Sequence, residues 1–207
     1  MRVYWLLLAV LPRLSAADLP DIPERVCQSQ YRVGLYANDS RIQSGTATGI
    51  DKHRLVTARH VVHSDDFSTV DCRLDVFDKN GIFTRQIMAK IEKLDDENDL
   101  ALLSVAEDLP AFAELGDSGG LKVGQWIYCM GSVFGSVPTN VSVGILASKS
   151  CPAMPGLMQA GCSSGPGCSG GGVYNFKTHK LVGIVLRGTD GAVLFAPVEK
   201  VKALAVR

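Results

Sequence analysis

Residues 45–62 read GTATGIDKHRLVTARHVV. Residues 45–50 and 54–58 are short runs of apolar and β-branched residues on either side of a polar turn, the pattern of two neighbouring strands. The second run ends just before His60. A buried strand at that point holds the imidazole at the edge of a cleft, where a rigid scaffold carries reactive groups.

The same alternation continues in both directions. YRVGLYA, CRLDVFD and IFTRQIMAKIEKL read as strands, and LALLSV is continuous enough to be a buried one. Asp78-Lys79-Asn80-Gly81 predicts a hairpin turn of the mirror-image type, because Asn-Gly readily takes the positive φ values that turn requires. Residues 107–120, EDLPAFAELGDSGG, carry little strand pattern and read as a connector. A second set follows: QWIYCMG, NVSVGILAS, GLMQAG, GGGVYN, KLVGIVL and AVLFAPV. PVEKVKALAV alone suits a helix, with Pro197 at its start. The expected fold is therefore all-β, a sandwich or a barrel, with the connector suggesting two such units and a short helix at the C-terminus. The boundaries are residues 18–107 for the first barrel, 108–120 for the connector and 121–207 for the second.

The 207 residues are 46% hydrophobic and 20% charged, which fits one large domain or two fused lobes. Twenty-one basic residues balance 21 acidic ones, so no excess charge points to nucleic acid or an anionic membrane. Residues 1–17 read as a signal peptide: Arg2, then an apolar core over 3–11, then Ser15-Ala16-Ala17 as a cleavage pattern. That core falls well short of the ~20 residues a membrane-spanning helix needs. Export to an extracellular or periplasmic space is expected, with an uncleaved anchor as the alternative because Arg13 follows the core. Cysteines 27, 72, 129, 151, 162 and 168 fit an oxidising compartment and disulfide bonds, but the sequence does not choose their pairing. Asn38-Asp39-Ser40 and Asn140-Val141-Ser142 are glycosylation sequons, meaningful in a eukaryotic context.

Hydrolysis by a serine needs a base to take the hydroxyl proton and a carboxylate to hold that base. Imidazole suits the task because it titrates near working pH. Of the four histidines, His53 sits in a turn, His179 lies on a polar hairpin and His63 leads into Ser64-Asp65-Asp66. His60 is the candidate base. His60 with His63 lacks a third metal ligand and no cysteine spacing suits zinc, so no metal or other cofactor is expected. Asp99 precedes the apolar run 100–105 and is the candidate carboxylate, although on its own it reads equally well as a turn or capping residue. Asp95, Asp96 and Glu97 read as a solvated turn.

Two serines compete, one in GDSGG at 116–120 and one in GCSGGG at 167–172. Ser118 lies inside the connector, before nearly all of the second strand set. Ser169 has that set on both sides and is the candidate nucleophile. Gly167 lets the chain turn so that the amides of Gly167 and Ser169 face one oxyanion, while Gly170 and Gly171 are expected to leave room for substrate backbone. Cys168 occupies the intervening position, where its side chain is expected to point away from His60, as a disulfide partner or a buried thiol.

With the order His60, Asp99, Ser169 in these surroundings, the chain resembles a trypsin-like (chymotrypsin-fold) serine protease of the HtrA-like branch. GTATGIDKHRLVTARHVV is similar to the segment delivering the family histidine and DDENDLALLSV to the one delivering its aspartate. LGDSGGLKVGQWIYCMGSVFG resembles the HtrA-like entry into the second barrel, which accounts for GDSGG independently. MQAGCSSGPGCSGGGVYN resembles the nucleophile loop and LVGIVLRG the strand that pairs with substrate backbone. The resemblance implies two six-stranded barrels and a pocket base at Ser163, with Leu186, Arg187, Gly188 and the region of Ala192 around the substrate. An uncharged Ser163 implies apolar or small side chains rather than Arg or Lys, with Asp190 as a charge able to reach in. No activating IVGG-type start is present, and with Arg207 as the last residue no PDZ domains are expected. The leading expectation is an exported endopeptidase acting on proteins or peptides through an acyl-enzyme. The alternatives are a non-catalytic or latent homologue acting as a binding module, and a small-molecule esterase.

Overall fold

In the computed structural model, which describes residues 21–66, 70–78, 80–135, 139–189 and 191–206, two antiparallel sheets each close into a six-stranded barrel. The first barrel comprises β1 (Gln30–Ala37), β2 (Ser40–Gly49), β3 (Arg54–Ala58), β4 (Asp71–Phe77), β5 (Phe83–Asp95) and β6 (Leu100–Val105). Its strands run β1-β2-β3-β6-β5-β4 around the barrel. The second comprises β7 (Trp126–Gly131), β8 (Asn140–Ser148), β9 (Met158–Ala160), β10 (Gly172–Asn175), β11 (Leu181–Thr189) and β12 (Ala192–Pro197), in the order β10-β11-β12-β9-β8-β7. Closure leaves no sheet edge to pair with other chains. Residues 1–20, which include the signal-like segment, lie outside the described residues, as does Asp190.

Alternation decides which side chains fill each barrel. Leu35, Leu55, Leu74, Leu100 and Leu103 are fully buried in the first, and Ile127, Leu146 and Phe195 in the second. Each such side chain contributes about 1.5–3 kcal/mol through burial. The C-terminal helix, here α3 (Val198–Val206), starts one residue after Pro197 and buries Val198, Val201 and Leu204. Its last carbonyls are capped from the first barrel: Arg54 Nη1 donates to Ala205 O at 2.8 Å and Lys93 Nζ to Leu204 O at 3.2 Å. Cationic donors at a helix C-terminus satisfy orphan carbonyls and complement the helix dipole. The helix that ends the second barrel thus fastens onto the first.

Three local features differ from the sequence reading. Two further helices are present, α1 (Glu24–Gln28) and α2 (Arg59–Val62), each too short to show a helical period in sequence. The hairpin between β4 and β5 forms where expected, but of the described turn residues only Gly81 has a positive φ, 76°, so the turn is not the mirror-image type. Instead the Asp78 carboxylate accepts from the backbone N–H groups of Asn80 and Ile82 at 2.8 and 2.9 Å. The six cysteines associated with disulfides are all free thiols.

Between the barrels lies a buried polar network centred on Gln30. Its Oε1 accepts from Gly172 N at 3.0 Å and from Thr48 Oγ1 at 3.2 Å, and its Nε2 donates to Tyr174 Oη at 2.7 Å. Buried polar groups cost free energy unless all are paired. Gln30→Leu keeps similar bulk but orphans the Gly172 N–H and leaves the Tyr174 hydroxyl with Ser29 Oγ alone among the described residues. We expect it to lower stability by about 1–3 kcal/mol, read as a lower urea midpoint with an unchanged slope.

Candidate active site

α2 is a single turn following the buried strand β3, and it carries His60. Its N-cap, Ala58, has no side-chain oxygen to satisfy the first N–H groups. Asp99 supplies both acceptors from across the barrel: its carbonyl takes Arg59 N at 2.9 Å and its Oδ1 takes His60 N at 3.1 Å. Its other carboxylate oxygen lies 2.8 Å from His60 Nδ1. Asp99 is therefore a cap and a histidine partner at once, which joins two readings the sequence left as alternatives. It has a positive φ of 52°, a conformation Asp tolerates better than most residues. The turn before it is organised by Asp95, whose carboxylate accepts from Asn98 N at 3.0 Å and Asn98 Nδ2 at 2.8 Å.

Burial acts to raise the Asp99 pKa. Hydrogen bonds from the His60 ring and backbone and the nearby charges of His60 and Arg187 outweigh it, and hold the carboxyl below its usual range. The remaining histidines are engaged elsewhere. His53 pairs with Asp108, His63 with Asp65, and His179 with the Tyr128 hydroxyl.

Ser169 lies in a loop held by the first barrel. Thr46 N donates to Ser169 O at 2.8 Å, and Thr46 Oγ1 donates to Gly167 O at 2.7 Å while accepting from Ser132 N at 2.9 Å. The one hydroxyl proton of Thr48 is shared between Gly170 O at 3.1 Å and Gln30 Oε1. Gly167 and Gly170 have positive φ, 98° and 87°. The structure corrects the expectation that Gly170 and Gly171 make room for substrate. A Cβ on Gly170 would lie 1.9 Å from Thr46 O and one on Gly171 1.9 Å from Met130 O. These glycines let two backbones of the protein itself approach closely. The N–H groups of Gly167 and Ser169 donate to no backbone or side-chain acceptor among the described residues. The Ser169 hydroxyl donates to Leu186 O at 3.1 Å.

Ser118 is held quite differently. Only 2% exposed, it donates its hydroxyl to Glu199 of α3, and its backbone N–H meets the same carboxylate at 3.1 Å. Among the described residues it has no imidazole partner.

His60 and Ser169 line one cleft of about 410 Å³ together with Leu186, Arg187 and Gly188. Beside it opens a cavity of about 600 Å³ lined by Ser163, Ser142, Val133, Phe134 and Val185 among others, with no charged side chain among its described lining residues. Ser163 and Gly188 line this cavity, while Leu186 and Arg187 line the neighbouring cleft with His60 and Ser169. On β11 Val185 lines the cavity and Leu186 the cleft, and Ala192 pairs with Thr189 in the hairpin. Val133 and Phe134, in a short turn over Val133–Gly135 with Phe134 and Gly135 at positive φ, 53° and 63°, were missed because an isolated turn carries no periodic signal. That turn is tied to the first barrel by Arg32 Nη1, which donates to Gly135 O at 2.7 Å.

Residues 43–184 match the trypsin-like peptidase domain. The chain belongs to the trypsin-like peptidase domain family. A probable periplasmic serine endoprotease DegP-like of Pseudomonas fulva is 37% identical over 188 residues, covering 83% of this chain and 36% of that protein. One of the same description from Hahella chejuensis is 39% identical over 106 residues, covering 48% of this chain and 22% of that protein. The chain thus spans about a fifth to a third of the length of these relatives. The crystal structure of Deg5 shares the fold, with a TM-score of 0.70 over 87% of this chain and 88% of that one at 22% identity.

Within this peptidase-family fold, Thr46 is the residue whose hydroxyl bridges the barrels beneath Ser169. Thr46→Val keeps its shape but leaves Gly167 O and Ser132 N without that partner. We expect a loss of about 1–3 kcal/mol in guanidinium unfolding, against a much smaller loss for Thr84→Val on β5, whose hydroxyl meets only Val76 O.

Proposed function

We propose that the chain is an exported serine endopeptidase, with Ser169 as nucleophile, His60 as general base and Asp99 as its orienting carboxylate. The observation that carries this reading is the two-point grip of one carboxylate on both the backbone and the ring of His60, in a cleft His60 shares with Ser169. Family membership and the periplasmic description of the DegP-like relatives support it. With Nδ1 engaged by Asp99, Nε2 is the ring nitrogen left to act as base.

Attack begins when the Ser169 hydroxyl leaves the Leu186 carbonyl for His60. Oγ bonds to the peptide carbon as Nε2 takes the proton, and the oxyanion is received by the N–H groups of Gly167 and Ser169. One such donor is worth about 100–1,000-fold in rate. The imidazolium, steadied by Asp99, then gives its proton to the departing amine, and water repeats the sequence on the acyl-enzyme. The uncharged cavity beside the cleft favours an apolar side chain before the scissile bond. A carboxylate facing that space would be required to select Arg or Lys.

A fluorophosphonate probe is expected to label wild type and Ser118→Ala at Ser169, and to leave Ser169→Ala unlabelled. An unlabelled but folded wild type would favour the latent homologue. The labelling rate is expected to fall as pH drops from about 8 to 5, because the imidazolium cannot accept the serine proton. Since Asp99 is held below the usual carboxylate range, it stays ionised through that window and the fall belongs to the imidazole. A rate flat with pH would remove His60 from the role of base.

A further inference from the structure

We propose that Cys129 and Cys162 form a dithiol pair that a small-molecule disulfide oxidant joins into a disulfide in the wall of the apolar cavity. The register of the second barrel brings them together. Cys129 on β7 pairs with Ser142 on β8, and Gly144, two residues on, pairs with Ile127. The segment after β9 crosses that same stretch of β8. Ser163 N donates to Ser142 Oγ at 2.8 Å, and a Cβ on Gly144 would lie 1.9 Å from Gly161 O and 3.0 Å from Cys162 Sγ. Cys162 therefore passes over the rungs beside Cys129, and both thiols are buried in one apolar cluster. The Cys162 thiol is the strongest titratable influence on Cys129 and pushes its pKa up.

The two thiols differ in access and in acidity. The neighbouring Cys129 thiol holds Cys162 below the usual thiol range against the opposing effect of burial, and Cys129 is pushed up by Cys162 first and by burial second. Cys129 lines the cavity and Cys162 does not, so Cys129 meets the oxidant first. Its sulfur bonds to one sulfur of the oxidant and expels a thiolate, which takes the Cys129 proton. Cys162 then attacks the mixed disulfide at Cys129, its proton going to the second departing thiolate. Two protein thiols are oxidised and the oxidant disulfide is reduced to two thiols. Cys129 itself lines the cavity, which gives a small disulfide its route in. Cys168, beside Ser169, also lines it. It affects Cys129 through charge alone.

The disulfide would fix the Cys129 wall to the segment entering Ser163. The link itself does not depend on the peptidase reading; its effect on substrate does. The reduced, full-length chain, both folded and during refolding, is treated with oxidised glutathione, blocked with N-ethylmaleimide, digested and mapped by mass spectrometry. We expect one linked peptide pair joining Cys129 to Cys162, retained in Cys168→Ser and lost in Cys162→Ser, with Cys27, Cys72 and Cys151 alkylated. A link from Cys129 to Cys168 or any other cysteine, or alkylation of both Cys129 and Cys162 in both arms, overturns the proposal. This readout needs no turnover. On peptides with an apolar side chain before the scissile bond, the joined form is expected to show a severalfold change in KM with kcat held. Equal KM in the two forms would overturn the consequence for the pocket while leaving the peptidase reading intact.

Discussion

The hydroxyl and amide of Thr46 hold the loop that presents Ser169. One side chain on β2 of the first barrel donates to Gly167 O and accepts from Ser132 N, while its backbone N–H takes Ser169 O. Its own carbonyl is fixed in turn by Thr57 Oγ1 at 2.6 Å. Each bond is worth about 1 kcal/mol net, and those from Ser132 N to Thr46 Oγ1 and from Thr57 Oγ1 to Thr46 O are buried, where losing a partner costs most. The approach is close enough to exclude side chains. A Cβ on Gly45 would lie 2.9 Å from Ser169 O, and one on Gly170 would lie on top of Thr46 O. The shape of the serine loop is therefore a property of the contact between barrels, which explains why its glycines serve packing as well as turning.

A second constraint acts from the opposite side of the cleft. α2 is too short to be stable alone, and Asp99 satisfies its first N–H groups while gripping the His60 ring. The carboxylate that holds the imidazole also holds the turn on which the imidazole rides. Orientation of the ring and stability of the local backbone are thus coupled, and a change at Asp99 disturbs both.

Much of this was legible because it is local. Period-two alternation marks most of the strands, and the short apolar run before His60 and after Asp99 marks those two residues as scaffold-mounted. The distinction between Ser118 and Ser169 also came from strand context; in the structure the first hydroxyl meets Glu199 and the second lines the cleft. What escaped depends on partners far away in the chain. Thr46 and Gly167 are 121 residues apart, so no window of sequence reveals that Gly170 faces Thr46 rather than substrate. The cavity walls at Val133 and Phe134 belong to one turn without periodicity. Val185 as a lining residue was not anticipated, because a bulge shifts the register between Val185 and Arg187.

The bridge from Thr46 to Ser169 is open to direct measurement by native-state hydrogen exchange of the Thr46 amide. The account predicts that this N–H exchanges with the slowest class, together with the core amides of both barrels, because its acceptor is released only when the barrels part. A Thr46 amide that exchanges by fast local opening, while Leu55 and Phe195 stay protected, would contradict it.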